Sequence, residues 1–429
     1  MTSKATVTTR PDAVVPPGKR WIILGGGVLV QLALGAVYAW STFAKAISDP
    51  HAFGWSKAEA SIPFETAIGM IFVGAFIGGR IQDSRGPRTV ALAGGVIYSL
   101  GVILASFADK ESIWLLILGY GVIGGFGLGM AYIVPIAMLQ KWFPDKPGLI
   151  TGIAVGGFGF GAVITSPVGL ALIEATDKAV PTKAFLYLGI AYLIAILIGA
   201  SVFANPPVGY RPAGMPAPVK KSVGGDDDYT VGEALKTPQW YMLTAILCLA
   251  VVAGISLISV AAAAATDVAG FSKAGAASLV GLLGLLNGGG RIFWAWISDR
   301  IGKMPAFAGL LAIEGVCLLL LPHAQSTAMF VILAALIYLC YGGAFGTMPS
   351  TAGKFFGVSR AGAIYGLMLM GWSIGGIVGP LVVGALVGTN KNYVAGFTAV
   401  GIIALAAIVL TFIAKPPHHK RARIEVVVR

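Results

Sequence analysis

Long apolar stretches follow one another along this chain, each closed by a short polar or basic segment. We read twelve of them as spanning helices, at 20–46, 60–80, 87–107, 112–140, 148–174, 183–204, 239–265, 273–297, 304–323, 326–352, 360–388 and 392–414. A helix needs about 20 mainly apolar residues to cross a hydrocarbon core about 30 Å thick, and each stretch has that length. The pattern predicts an all-α integral membrane protein that lives in a lipid bilayer.

The polar intervals divide the twelve. Residues 1–19 and 415–429 are polar tails, and the first shows no signal-peptide pattern. Residues 205–237 form the longest polar stretch, with Pro206, Pro207, Pro212, Pro216 and Pro218, then Lys220, Lys221 and the acidic trio Asp226, Asp227, Asp228. We read it as a linker between two six-helix halves, 20–204 and 238–414, with the trio a solvated linker feature rather than a metal site. The halves echo one another. GRIQDSRGPR after the second stretch carries Asp83, Arg85, Gly86 and Arg88; AWISDRIGK after the eighth carries Asp299, Arg300, Gly302 and Lys303. KWFPDKPGLITG from Lys141 returns as KFFGVSRAGAIYG from Lys354. Two echoes at nearly one offset predict parallel six-helix repeats with binding at their interface, a standard transporter architecture.

Composition agrees: 57% of residues are hydrophobic and 11% charged, against about 25% charged in a soluble domain. The net charge of +12 could suggest nucleic acid, but its distribution points to topology. With the N terminus inside, Lys45, Lys57, Lys110, Lys178, Lys183, Lys273 and Lys391 fall outside; every other Lys or Arg except Arg291 falls inside. This asymmetry puts both termini in the cytoplasm and excludes nucleic acid as the partner. Cys248, Cys317 and Cys340 all lie in spans and read as packing residues. Sixty glycines predict close helix packing, with Gly157–Gly161 and Gly371, Gly375, Gly379 as contact faces. No metal-ligand cluster, cofactor motif or GxxxxGK[ST] loop is present, which argues against a membrane enzyme and against ATP-driven transport.

One residue breaks the pattern. Arg291 sits inside the apolar run ASLVGLLGLLNGGGRIFWAWISDRIGK, eight residues before Asp299. It therefore lies about 12 Å inside that membrane edge. An arginine so deep costs about 2.5 kcal/mol or more and normally faces a water-filled path or a partner charge. No acid stands near it on its own helix. Its planar fork suits a carboxylate, so it predicts an anion site. A proton partner would need a titratable group. His51, His323, His418 and His419 all lie in loops or the tail. The candidate acids are Asp267, near the outer end of the seventh span, Glu65 in the second and, less centrally, Glu314 in the ninth. Glu65 and Glu314 both read as buried, an environment that suits a proton carrier.

The Asp-x-Arg-Gly-Pro-Arg loop and its repeat resemble the signature of the major facilitator superfamily. Tyr38-Ala39-Trp40, Tyr132, Lys141 to Lys146, Thr237-Pro238-Gln239-Trp240, Asn287-Gly288-Gly289 before Arg291, and Gly342-Gly343 resemble its oxalate/formate antiporter and monocarboxylate transporter group. Most similar is a bacterial lactate-type transporter. The resemblance implies a secondary transporter of small monocarboxylates, coupled to protons or working by exchange, in a bacterial inner membrane, monomeric and without cofactor. It implies that Arg291 holds the carboxylate, that Tyr38, Tyr132, Tyr341, Phe345, Trp372 and Asn287 line the site, and that Asp83, Arg85, Arg88, Asp299 and Arg300 form a cytoplasmic gate. Oxalate antiporters of the group carry a lysine where this chain has Trp372. One arginine balances one carboxylate, so the departure favours monoanions. Animal monocarboxylate transporters carry an acid at the position of Asn287 and a lysine near that of Thr42, and this chain has neither.

Overall fold

The computed structural model describes residues 16, 18–207, 209–212, 228–388 and 391–417. Twelve long helices follow one another: α1 (Lys19–Ile47), α2 (Lys57–Arg85), α3 (Pro87–Ala105), α4 (Ile113–Trp142), α5 (Pro147–Ala175), α6 (Ala184–Ser201), α7 (Pro238–Ala269), α8 (Lys273–Ile301), α9 (Lys303–Leu320), α10 (Thr327–Phe356), α11 (Ala361–Val387) and α12 (Tyr393–Ile413). Among the described residues, eleven helices are long and apolar enough to cross a membrane on length and hydropathy. The twelfth long helix, α8, carries Asn287, the glycine run and Arg291. Large apolar side chains such as Phe412, Phe107 and Leu381 face outward, as lipid contact requires.

Local chemistry sets the ends. Ser56 and Glu59 form a reciprocal capping box at the start of α2, and Thr237, followed by Pro238, caps α7. Two glycines make the sharp joints. Gly86 ends α2 and opens α3 at φ +84°, and Gly302 does the same between α8 and α9 at φ +98°. Side chains rarely adopt such angles, so the echo seen in the sequence is an echo of backbone geometry.

Glycine also sets how closely the helices approach. On α11, Cβ atoms at Gly371, Gly375 and Gly379 would lie 2.7–2.8 Å from the carbonyls of Thr244, Cys248 and Val252 on α7. Each step is four residues on both helices. Gly157 and Gly161 rest on α1 at Val28 and Leu32 in the same way. The halves meet along two seams, α2 with α11 and α5 with α8. At the end nearest the termini the seams are shut: Gly79 lies on Gly362, Gly366 on Ala75, Gly148 on Asp299, and Gln140 of α4 on Gly353 of α10. Towards the opposite end they part. A Cβ at Gly281 or Gly284 of α8 would meet nothing within 4 Å there; a separate cavity of about 570 Å³ lies within the C-terminal half, between Asp267 of α7, Ala276 of α8 and Tyr393 of α12.

The linker reading needs one correction. Asp226 and Asp227 lie outside the described residues, but Asp228 is not a solvated charge. Its carboxylate accepts from the Ser359 N–H (3.0 Å) and Oγ–H (2.7 Å), while the Tyr229 N–H donates to the Phe356 carbonyl. The end of the linker is thereby tied to the loop between α10 and α11, whose Gly357 (φ +88°) gives the carboxylate room.

Candidate functional site

Helix α8 reaches the centre because glycine flanks it on two sides. Gly152 and Gly159 of α5 press on the Arg291 carbonyl and on Gly288. Gly342 and Gly346 of α10 press on the carbonyls of Asn287 and Arg291. Arg291 is thus seated between the halves, and it is fully buried.

Its guanidinium has five N–H donors and makes three contacts, all long. Nε donates to Asn287 Oδ1 at 3.5 Å, Nη1 to the Val155 carbonyl at 3.3 Å and Nη2 to Tyr38 Oη at 3.3 Å. The usual N–H···O distance is about 2.9–3.0 Å. Four salt bridges join described residues, and none involves Arg291. The charge is instead faced by rings: Phe345 at 5.0 Å, Phe158 at 5.5 Å and Tyr38 at 5.9 Å from the guanidinium carbon.

Around it the aromatics close into a cage. Trp372 lies 5.0 Å from Phe345 and 6.1 Å from both Phe158 and Tyr132. Tyr132 meets Phe158 at 5.0 Å, and Tyr341 meets Phe345 at 5.3 Å. The hydroxyls of Tyr132, Tyr341 and Tyr365 and the Trp372 indole nitrogen are buried without a hydrogen bond of good geometry, although Tyr132 faces Arg291 and Tyr365, and Tyr341 faces Tyr38 and Trp372. A buried donor left unmatched costs about 1–3 kcal/mol. Four of them beside an unpaired cation form a site short of an acceptor. Tyr38 alone in this cage is only partly buried.

The helices bend where they serve the cage. Tyr38 rides on a 3₁₀ segment, Gly35–Ala39, that interrupts α1, and Gly35 there lies on the Phe158 carbonyl. Next to Pro135 of α4, Gln31 and Gln82 donate to the carbonyls of Tyr132 and Val134. Helix α11 breaks at Leu369, just before Trp372.

Every expected lining residue, Tyr38, Tyr132, Asn287, Arg291, Tyr341, Phe345 and Trp372, is in this cluster. Two further members, Phe158 and Tyr365, were not anticipated. Tyr365 lies seven residues before Trp372, two turns along one helix face, a spacing that offered a signal. Phe158 sits in GGFGFG with no such mark.

The candidate acids are elsewhere. Asp267 accepts from Lys391 Nζ (2.7 Å) and Tyr393 Oη (2.8 Å) at the far end of α7. Glu65 is exposed, not buried as expected, and accepts from Ser61; hydropathy alone cannot say which face of a helix a residue takes. Only Glu314 is buried. Of the gate residues, Asp299 and Asp83 reach the other half, whereas Arg88 donates to the Phe203 carbonyl within its own half and Arg300 lies over Trp296 of its own helix. Arg85 is exposed. Among the described residues no group of His, Cys, Asp or Glu could hold a metal.

Comparison with known proteins agrees with this architecture. The oxalate:formate antiporter of Oxalobacter formigenes is 29% identical over 402 residues, 92% of each chain. Monocarboxylate transporter 13 of Rattus norvegicus is 25% identical over 91% of this chain and 88% of its own. The crystal structure of the E. coli fucose:proton symporter (N162A) superposes with a TM-score of 0.70 at 14% identity, over 93% of this chain and all of that one, a likeness of fold. The family model described as Major Facilitator Superfamily matches residues 27–380 and 306–427. This chain is an integral membrane protein that belongs to the major facilitator superfamily, a family of transporters rather than enzymes.

Proposed function

We propose that the protein is a secondary transporter of small monocarboxylates of the lactate and pyruvate class, working by alternating access with the carboxylate on Arg291. The observation that carries this reading is the unpaired, fully buried guanidinium ringed by four unmatched O–H and N–H donors. A carboxylate would replace long contacts with short charge-assisted ones, about 2.7–2.9 Å. It would also give the Tyr132, Tyr341 and Tyr365 hydroxyls an acceptor. Phe158, Phe345 and Trp372 would bound a short carbon tail. The tight packing of the halves on the terminal side supports reading this as a state closed towards the termini, with Tyr38 the one partly buried member of the cage. The distribution of Lys and Arg supports cytoplasmic termini; the inner membrane of a bacterium is the location this reading takes from the family resemblance. Proton symport as a monomer completes the reading.

The second reading is anion exchange, favoured by the similarity to an oxalate:formate antiporter. Charge weighs against a dianion. The only other buried basic residue among those described is Lys303, which is paired with Asp299. A second carboxylate would meet Trp372, not a cation.

The test is uptake of labelled L-lactate by liposomes holding the purified protein. Arg291→Ala should weaken uptake about 100-fold or more, the scale of removing one partner of a buried charge pair. Arg291→Lys should restore part of it. Lactate uptake that ignores Arg291→Ala sinks the site. Uptake seen only with a preloaded carboxylate and blind to a proton gradient favours exchange.

A further inference from the structure

Glu314 of α9 is fully buried, and neither of its carboxyl oxygens has a hydrogen-bond partner. It takes part in none of the salt bridges. Among the described residues no cation lies against it in this structure. Cys317 flanks it on its own helix, and α10 presents Cys340 and Tyr341. Helix α7 presents bare backbone at Gly254. Helix α12 brings Gly401 and Leu405 against the adjoining Gly315. Trp294 of α8, beside Cys340, does not titrate. An ionised carboxylate is very costly in such a place, whereas the neutral acid costs far less.

This acid is not remote from the anion site. A Cβ placed on Gly254 would meet Glu314 Oε1 at 2.6 Å and Tyr341 Cδ2 at 2.6 Å. The carboxyl and the tyrosine ring therefore press on the same spot of α7, which only glycine leaves open. Tyr341 is a member of the Arg291 cage, and its hydroxyl is unmatched.

Resting on the monocarboxylate reading, we infer that Glu314 is the proton-binding residue of the transport cycle, linked to the anion site through Tyr341. In the loaded carrier the carboxylate neutralises Arg291 and Glu314 keeps its proton. When the anion leaves, the positive charge on Arg291 is uncovered, and Glu314 releases its proton to the open side and becomes its counter-charge. One proton and one anion then cross together, and the interior holds no net charge at either stage. Tyr341 is the group between the two sites, packed with Glu314 on Gly254.

The test uses the full chain in liposomes and compares lactate counterflow, without a pH gradient, with accumulation driven by an inward gradient of about one pH unit. One proton per anion supports about tenfold accumulation under that gradient. Glu314→Gln should keep counterflow and reduce accumulation to none. Accumulation retained in Glu314→Gln overturns the inference. If the variant loses counterflow as well or does not fold, infrared difference spectra of the unsubstituted protein decide. Adding lactate should change a protonated-carboxyl band that Glu314→Asp shifts, and an unchanged band overturns the inference. If the unsubstituted protein shows no counterflow with lactate, pyruvate, formate or acetate, the monocarboxylate reading itself has failed. Spectra taken across a pH series then judge Glu314 separately: a protonated-carboxyl band that Glu314→Gln removes keeps it as a proton site, and no such band dismisses it.

Discussion

Two aspartates related by the internal repeat do the same job with unequal strength. Asp299, at the end of α8, accepts from the Gly148 and Leu149 N–H groups at 3.1 and 2.9 Å, so it caps α5 of the other half. It also holds Lys303 at 2.7 Å. Asp83, at the end of α2, lies against Gly362 at the start of α11 in the other half. Its Oδ1 has no hydrogen bond of good geometry; the Ala363 N–H of α11 faces the carboxylate, and Lys141 and Arg360 act on it through their charge. Each carboxylate addresses the N terminus of the other half's fifth helix, where the helix dipole favours an anion. The α5–α8 seam is bolted, while the α2–α11 seam is only latched. The lesson is that sequence repetition conserves the address of an interaction and leaves its strength free.

Asp299→Ala should show the largest effect. It strips two N–H groups of their acceptor and leaves the Lys303 ammonium buried and unpaired, a loss of about 3 kcal/mol. The thermal unfolding midpoint in detergent should drop clearly, and a cysteine introduced at Ser350, buried in α10, should react faster with a thiol reagent. An unchanged midpoint would show that the bolt holds nothing. Asp83→Ala should cost about 1 kcal/mol or less, the scale of one charge at a helix terminus. Ser350→Cys labelling should rise less than it does with Asp299→Ala. Equal losses at the two positions would erase the asymmetry.

Most of the fold was legible because its physics is one-dimensional. A run of apolar residues long enough to span, a basic loop and a repeat offset can all be read along the chain. Arg291 was legible because a charge in hydrocarbon needs a reason. Its neighbours were partly legible: Asn287 by its four-residue spacing from Arg291, the tyrosines and Trp372 through the family resemblance. Phe158 was not, because an apolar ring in an apolar run carries no mark of which face it takes. Glu65 and Glu314 looked alike in sequence. Only the packing shows that one turns outward and the other lies behind Tyr341.

The stepped contact of α11 on α7 has a consequence for how the gene tolerates change. Every fourth residue along that contact, Gly371, Gly375 and Gly379, has carbonyl oxygen where a side chain would begin. On the outer face of the same helix, Ile374, Ile377 and Leu381 are exposed. In a library substituting each position in turn, selected for growth on the transported acid, α11 should read as a rhythm. The glycine rows should admit almost nothing, and the rows between should accept nearly any apolar residue. A helix tolerant throughout would mean that α11 does not ride on α7 during transport.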